Sequence, residues 1–321
     1  MTSNQRPVAF VTGASRGIGK ACAVELAAAG FDLAVTARTV EEGEAREHSS
    51  TLRASDTSPL PGSLRSTAAL VEEAGGRALV VPADLLDHPS LVRAVETVLG
   101  EHGRIDVIVH NGRYIGPGHM DRFLDTPVEV INDQVQANVF GPLVINKAAL
   151  PSMIANGGGT IVNITSASAY GDPTKPAGEG GWGMGYGVSK GAFQRIAGFL
   201  AVELGDQGIR CFNVQPSLIA TERIGQDMAK FGIANDGAPP DVVGKVVRWL
   251  CTEPEAEALN GANVEAQHFC HERGLLPGWA GPALKDNNIR YDLSGANLAA
   301  LEAAMAGRPG LDNLGVPVSP L

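Results

Sequence analysis

Two residues four apart, Tyr186 and Lys190 in the run Tyr186-Gly187-Val188-Ser189-Lys190, form the pairing in this sequence best suited to proton transfer. The run opens a helix-like segment reaching about residue 207. Positions i and i+4 share a helix face, so a phenol and an ammonium can point into one site. A nearby cation stabilises phenolate and lowers a tyrosine pKa from about 10 toward the range useful at neutral pH. Such a spacing is common by chance, so its weight depends on what else the chain offers.

The chain also offers a glycine turn, Thr12-Gly13-Ala14-Ser15-Arg16-Gly17-Ile18-Gly19, between a short apolar run and a helix-like segment. Glycine lets a backbone turn tightly and approach a pyrophosphate without a Cβ in the way. The helix start adds unpaired N–H donors and a partial positive charge. Gly13, Ser15, Arg16, Gly17, Ile18 and Gly19 are therefore candidate dinucleotide contacts. The next apolar run ends Thr36-Ala37-Arg38. An NAD site usually places a carboxylate there for the ribose hydroxyls, and that carboxylate repels a 2′-phosphate. Ala37 offers none, while Arg38 and Arg16 offer guanidiniums suited to a phosphate dianion. The expectation is NADP(H) in preference to NAD(H). Glu41, Glu42 and Glu44 are the competing groups, should they fold back over the ribose.

These residues need a scaffold, and the pattern supplies one. Short apolar runs at 7–12, 31–37, 77–83, 105–110, 160–165, 209–215 and 262–266 alternate with helix-like segments. Alternation of this kind predicts a doubly wound α/β Rossmann fold with a seven-stranded parallel sheet and helices on both faces. Residues 39–62, with mixed charges, serines and two prolines, read as an inserted surface loop. Residues 167–185 hold six glycines and two prolines and predict no regular element. The expected division is a Rossmann domain over 1–267 and a loop-rich C-terminal extension over 268–321, with one helical patch near 298–305. The extension is expected to pack on its own domain or on a neighbouring subunit.

A net charge of −10 and a pI near 5.2 argue against nucleic acid or anionic lipid as a partner, so any anionic ligand must be held by a few placed donors. The four cysteines show no CxxC pair and read as reduced thiols of a cytoplasmic protein. An apolar run starting at residue 7 leaves no room for a signal peptide, and no run approaches a membrane span. His268, Cys270, His271 and Glu272 cluster without a spaced partner pair, and no metal site is expected.

Taken in order, the motifs resemble the short-chain dehydrogenase/reductase family over roughly residues 7–267. Its TGxxxGxG turn matches Gly13, Gly17 and Gly19, and its adenine-contacting aspartate matches Asp84, followed by Leu85. Its NNAG segment aligns with His110-Asn111-Gly112-Arg113 and its active-site asparagine with Asn138. Its serine aligns with Ser166, its tyrosine–lysine pair with Tyr186 and Lys190, and its Pro-Gly segment with Pro216-Ser217, followed by Ile219 and Thr221. The resemblance implies a hydride-transferring enzyme acting on a carbonyl or alcohol. Tyr186 would be the general acid or base, Lys190 its electrostatic support and ribose contact, and Ser166 the donor to the developing alkoxide. Asn138 would hold a relay water, Asn111 and Gly112 would let the backbone pass close to the cofactor, and Ile219 and Thr221 would fix the carboxamide. It further implies a homotetramer or homodimer built on the helices near 127–155 and 186–207.

Three positions depart from the pattern: His110 for asparagine, Arg113 for glycine and Ser217 for glycine. Trp182 and Met184 either wall the substrate pocket or pack the long loop, and Met228 and Phe231 lie in what would be a substrate lid. Together they lean toward a bulky hydrophobic carbonyl. Fold does not fix function, so a catalytically silent, cofactor-binding regulatory or scaffold protein is the alternative. The survival of Asn138, Ser166, Tyr186 and Lys190 favours the enzyme.

Overall fold

The computed structural model describes residues 6–229, 235–282 and 289–290. Seven strands form one parallel sheet in the order β3-β2-β1-β4-β5-β7-β8. They are β1 (Val8–Thr12), β2 (Asp32–Thr36), β3 (Ala78–Val80), β4 (Val107–His110), β5 (Gly159–Ile164), β7 (Ile209–Gln215) and β8 (Asn263–Glu265). The expected strands are all present, trimmed by a residue or more at most of their ends. A two-residue antiparallel pair, β6 (Asp172–Pro173) with β9 (Ile289–Arg290), was not expected.

The helices are α1 (Gly17–Ala28), α2 (Leu64–Glu73), α3 (His88–His102), α4 (Val128–Val135), α5 (Gly141–Ala155), α6 (Met184–Leu204), α7 (Glu222–Ala229), α8 (Asp241–Thr252) and α9 (Ala266–Glu272). Successive side chains of a strand face opposite sides. In β1, Ala9 and Val11 join a core with Leu26, Val243 and Val247, while Val8 and Phe10 join a second core with Ile108, Ile145 and Ile161. Both faces are covered, which is why the strands read as unbroken apolar runs. Local signals stop the helices where they stop. Asp87 caps α3 by accepting from the Ser90 N–H, Gly103 ends it at φ 72°, and Ser63 with Ser66 forms a capping box on α2.

The sheet order reverses between β1 and β4, the place where open α/β sheets bind ligands beyond their strand ends. Thr12 locks that crevice. Its hydroxyl donates to the Val109 carbonyl (3.2 Å) and accepts from the N–H groups of Asn111 (3.0 Å) and Gly112 (2.9 Å). The helix expected over 127–155 is continuous but carries one π-turn, Gln136–Phe140, between α4 and α5. Helix α9 runs across the boundary expected at residue 267. It packs on α8, Phe269 meeting the Trp249 ring edge to face at 5.0 Å. The helical patch expected near 298–305 lies outside the described residues.

Candidate active site

The glycine turn leaves β1 and enters α1 as its sequence requires. Gly13 and Gly17 take φ values of 64° and 54°, a region that side chains rarely adopt. A Cβ on Gly19 would stand 2.3 Å from the Gly13 carbonyl oxygen, and one on Gly13 2.8 Å from Asn111 Nδ2. Asn111 braces the turn with its side chain, its Nδ2 donating to the carbonyls of Thr12 (3.0 Å) and Gly13 (3.1 Å). Arg16, at the N-cap of α1, gives the helix no side-chain cap. Instead a carboxylate from another element fills part of that role. Glu222 accepts from the Gly17 N–H (2.9 Å) and pairs with Lys20 (2.5 Å), and it is held below the usual carboxylate range despite partial burial. The turn thus suits an anionic oxygen and fits a dinucleotide phosphate, which would displace the Glu222 carboxylate from the Gly17 N–H.

At the far end of the crevice the catalytic candidates converge on the first turns of α6. Asn138 points inward from the π-turn, a local expansion often found at functional sites. Its Oδ1 accepts from the Tyr114 N–H (2.6 Å) and its Nδ2 donates to Ser189 Oγ (2.9 Å). Each end of that amide already has one protein partner, and one N–H and one lone pair remain for a water. Lys190 is buried, and its Nζ donates to the Ile164 carbonyl (2.8 Å). Burial, aided by the Arg113 charge, lowers its pKa to about 7. Ser166 follows β5, and its Oγ accepts from the Ser168 N–H (3.2 Å) and lies 3.0 Å from Ser168 Oγ. With the Ser168 hydroxyl donating, the Ser166 O–H is left to donate elsewhere. Sequence reading missed Ser168, two residues from Ser166, and Ser189, which meets Asn138 from 51 residues away.

Tyr186 is half-buried, and two further side chains stand against its ring. The His119 ring meets it edge to face with centroids 4.4 Å apart, and the Arg113 guanidinium carbon lies 5.6 Å from its ring centroid. His119 is fixed through its backbone, its carbonyl accepting from the Gly183 N–H at the start of α6 (2.7 Å). Burial first, then the charges of Arg113, Arg223 and Lys190, push its pKa well below the ordinary histidine value. Its surroundings thus disfavour a charge on the ring.

The insertion at 39–62 is the largest difference from expectation. It is no free surface loop, for Thr39, His48, Ser49 and Leu60 are buried. It runs as a strap from the glycine turn to the 116–122 loop. At one end Arg16 donates to the carbonyls of Pro61 (2.9 Å) and Gly62 (2.7 Å), so this arginine anchors the strap instead of standing free for a phosphate. Near the other end Asp121 accepts from the Thr51 hydroxyl (2.6 Å) and the Leu52 N–H (2.8 Å). Arg223 of α7 reaches the strap at the His48 carbonyl (3.2 Å) and Ser50 Oγ (2.9 Å). Glu42 accepts from the Gly62 N–H, Glu44 from Val40 and Glu41, and Arg38 donates only weakly, to the Glu47 carbonyl at 3.4 Å.

The remaining candidates line the crevice. Asp84 Oδ1 accepts from the Leu86 N–H (3.0 Å), and Leu85 packs near Gly112 and Gly141. The Pro216 carbonyl accepts from Gln267 Nε2 (3.1 Å), Ile219 is buried, and the Thr221 methyl lies 3.0 Å from where a Gly17 Cβ would stand. Ser217 holds φ at 59°, a conformation that favours glycine and costs about 1 kcal/mol or more otherwise. The Met228 side chain and Phe231 lie outside the described residues, while Met184 is exposed and Trp182 is half-buried.

Comparison with known proteins agrees with this geometry. The short chain dehydrogenase family model matches residues 7–58, and the model described as enoyl-(acyl carrier protein) reductase matches residues 60–266. The chain is 31% identical to L-rhamnose 1-dehydrogenase (NAD(P)(+)) of a Sphingomonas species, covering 79% of this chain and 92% of that protein. It is 29% identical to a 3-oxoacyl-[acyl-carrier-protein] reductase of a Synechocystis species, covering 81% and 95%. The crystal structure of a short chain dehydrogenase from Mycobacterium paratuberculosis bound to NAD superimposes with a TM-score of 0.63 at 28% identity, covering 81% and 95%. With the sheet, the glycine turn and the α6 pair assembled on one crevice, the chain belongs to the short-chain dehydrogenase/reductase family of NAD(P)-dependent enzymes acting on CH–OH groups.

Proposed function

We propose that this protein interconverts a ketone and a secondary alcohol on a small, largely apolar molecule, using NADP(H) in preference to NAD(H). The convergence of Tyr186, Lys190, Ser166 and Asn138 on the start of α6 carries the reading. A dinucleotide held in this crevice would supply or accept the hydride. The chain's own residues do the rest. Tyr186 gives a proton to the carbonyl oxygen in reduction and removes it in oxidation. The free Ser166 O–H steadies the oxygen as charge develops, and Lys190 supports the phenolate electrostatically and binds the ribose. Gly13, Gly17, Ile18, Gly19, Asn111 and Gly112 cradle the phosphates and nicotinamide ribose, with Asp84 and Leu85 at the adenine and Ile219 and Thr221 at the carboxamide.

Support for NADP(H) is the bare Ala37 and the weakly engaged Arg38, on which the grip of a 2′-phosphate rests once Arg16 is assigned to the strap. The apolar substrate rests on the half-buried Trp182, beside Gly187, and the exposed Met184, both close to Tyr186 in the chain. Four cysteines without a disulfide among the described residues favour the cytoplasm. The test is cofactor turnover over a panel of ketones and alcohols with wild type and Tyr186→Phe. Turnover that falls by about a thousandfold in the variant, with cofactor affinity kept, is the expected result. Cofactor binding with no turnover on any substrate would instead favour a regulatory role.

A further inference from the structure

Arg113 stands where a glycine is the rule, and its charge is placed inside the site. Its guanidinium carbon lies 5.6 Å from the Tyr186 ring centroid, and it is near enough to influence both Lys190 and His119. Guanidinium carries five N–H donors. One bond from Arg113 is found among the described residues, from Nη1 to the Tyr114 carbonyl (3.0 Å), and no carboxylate there pairs with it. The other cations nearby are already committed. Arg223 is tied to the strap through His48 and Ser50, and Lys190 to the Ile164 carbonyl. Asp121, the buried acid of the neighbouring loop, accepts from Thr51, Leu52 and Gly118 and has no bond to Arg113. Beside Arg113, His119 packs on Tyr186, and its Nδ1 is enclosed without a hydrogen-bond partner among the described residues. In a chain of net charge −10, a half-buried guanidinium with no carboxylate partner among the described residues has N–H donors to offer an anionic ligand.

We propose that Arg113 and His119 form a carboxylate-binding subsite beside Tyr186, and that the substrate is an oxo acid or its hydroxy acid. The proposal rests on the oxidoreductase reading above and narrows it. A carboxylate held by Arg113 at roughly 2.8 Å and a carbonyl hydrogen-bonded to Tyr186 at about 2.7 Å belong to one molecule only when a few bonds separate them. The acid is therefore a 2-oxo or 3-oxo acid, with any apolar chain directed toward Trp182. His119 donates one hydrogen bond from a ring N–H to the same carboxylate, which can only accept.

The experiment compares 2-oxo and 3-oxo acids of four to ten carbons with their methyl esters, on wild type, Arg113→Met, Arg113→Lys and His119→Phe. Wild type should favour an acid over its ester by tenfold or more in kcat/KM. Arg113→Met should collapse that ratio at least tenfold, through KM, with the NADPH dissociation constant within threefold of wild type. Arg113→Lys should keep part of the ratio, and His119→Phe, which preserves the ring contact, should lower it less than Arg113→Met. A wild-type ratio near one, an unchanged ratio in Arg113→Met, or a tenfold weaker NADPH affinity in that variant would overturn the subsite, the last by assigning Arg113 to the cofactor. Thermal shift with NADPH and millimolar oxo acid reads binding without turnover. A shift in wild type that Arg113→Met lacks supports the subsite even if no compound turns over, in which case only the oxidoreductase reading fails. No shift and no turnover would sink both.

Discussion

Lys190 shows how a functional residue is held at a cost to the fold. Its ammonium titrates near 7 in the folded protein against a usual value of 10.5. Between those values the unfolded chain binds the extra proton, so the stability of the cofactor-free protein rises with pH from about 7 to about 10. Below pH 7 the burial penalty is present in full. Lys190→Met should therefore melt several degrees higher than wild type at pH 7 and lose that pH slope, while turnover drops by a thousandfold or so. A variant that melts lower would show that the Ile164 bond outweighs desolvation. Arg38 is the second residue whose role a single substitution tests. Wild type should have a higher kcat/KM with NADPH than with NADH, and Arg38→Ala should lose about tenfold or more of that preference, one charged hydrogen bond being about 1.5–3 kcal/mol. A wild type that favours NADH would assign cofactor choice to the strap.

Among the elements, the strap over 39–62 changes the most between sequence and structure. Its composition says loop, and it has no helix or strand until α2, yet it is tied down at both ends. Asp121 is 5% exposed and takes three hydrogen bonds, from Thr51, Leu52 and Gly118. Bonds to a charged acceptor contribute about 1.5–3 kcal/mol each. Asp121→Ala should release the strap, and trypsin should then cut after Arg46 and Arg53 at least tenfold faster than in wild type. Equal cleavage rates would show that Arg16 and Arg223 hold the segment without it. The π-turn at 136–140 is a second device of this scale, because the extra residue is what turns Asn138 toward Ser189.

At the scale of the whole molecule, α6 leaves an apolar face uncovered. Val188, Phe199 and Val202 share one side of the helix, and Val202 is 87% and Phe199 59% exposed. Val128 of α4 is also exposed, at 72%. Side chains of this size exposed along a helix mark a protein interface. We expect the chain to assemble with itself through this face, as a tetramer or dimer, and Val202→Glu should lower the mass seen by light scattering. A monomeric wild type at micromolar concentration would contradict it. We also expect the C-terminal extension to cover its own domain or a neighbour's, starting from the contact of α9 with α8.

The sequence alone determined the sheet, because strands buried on both faces must be apolar throughout and glycine turns must punctuate them. It also determined the glycine turn and the Tyr186–Lys190 pair, since both are local in the chain and their chemistry follows from spacing. Tertiary structure decided what depends on contacts between distant segments. Arg16 looks like a phosphate ligand until the Pro61 and Gly62 carbonyls are seen to accept its hydrogen bonds. Arg113 looks like a defect in a glycine motif until the fold sets it over the Tyr186 ring, with His119 brought in by a backbone bond to Gly183. No spacing rule reveals such pairings, because a side chain's partners are fixed by how loops close over the crevice, and that closure is a property of the packed molecule.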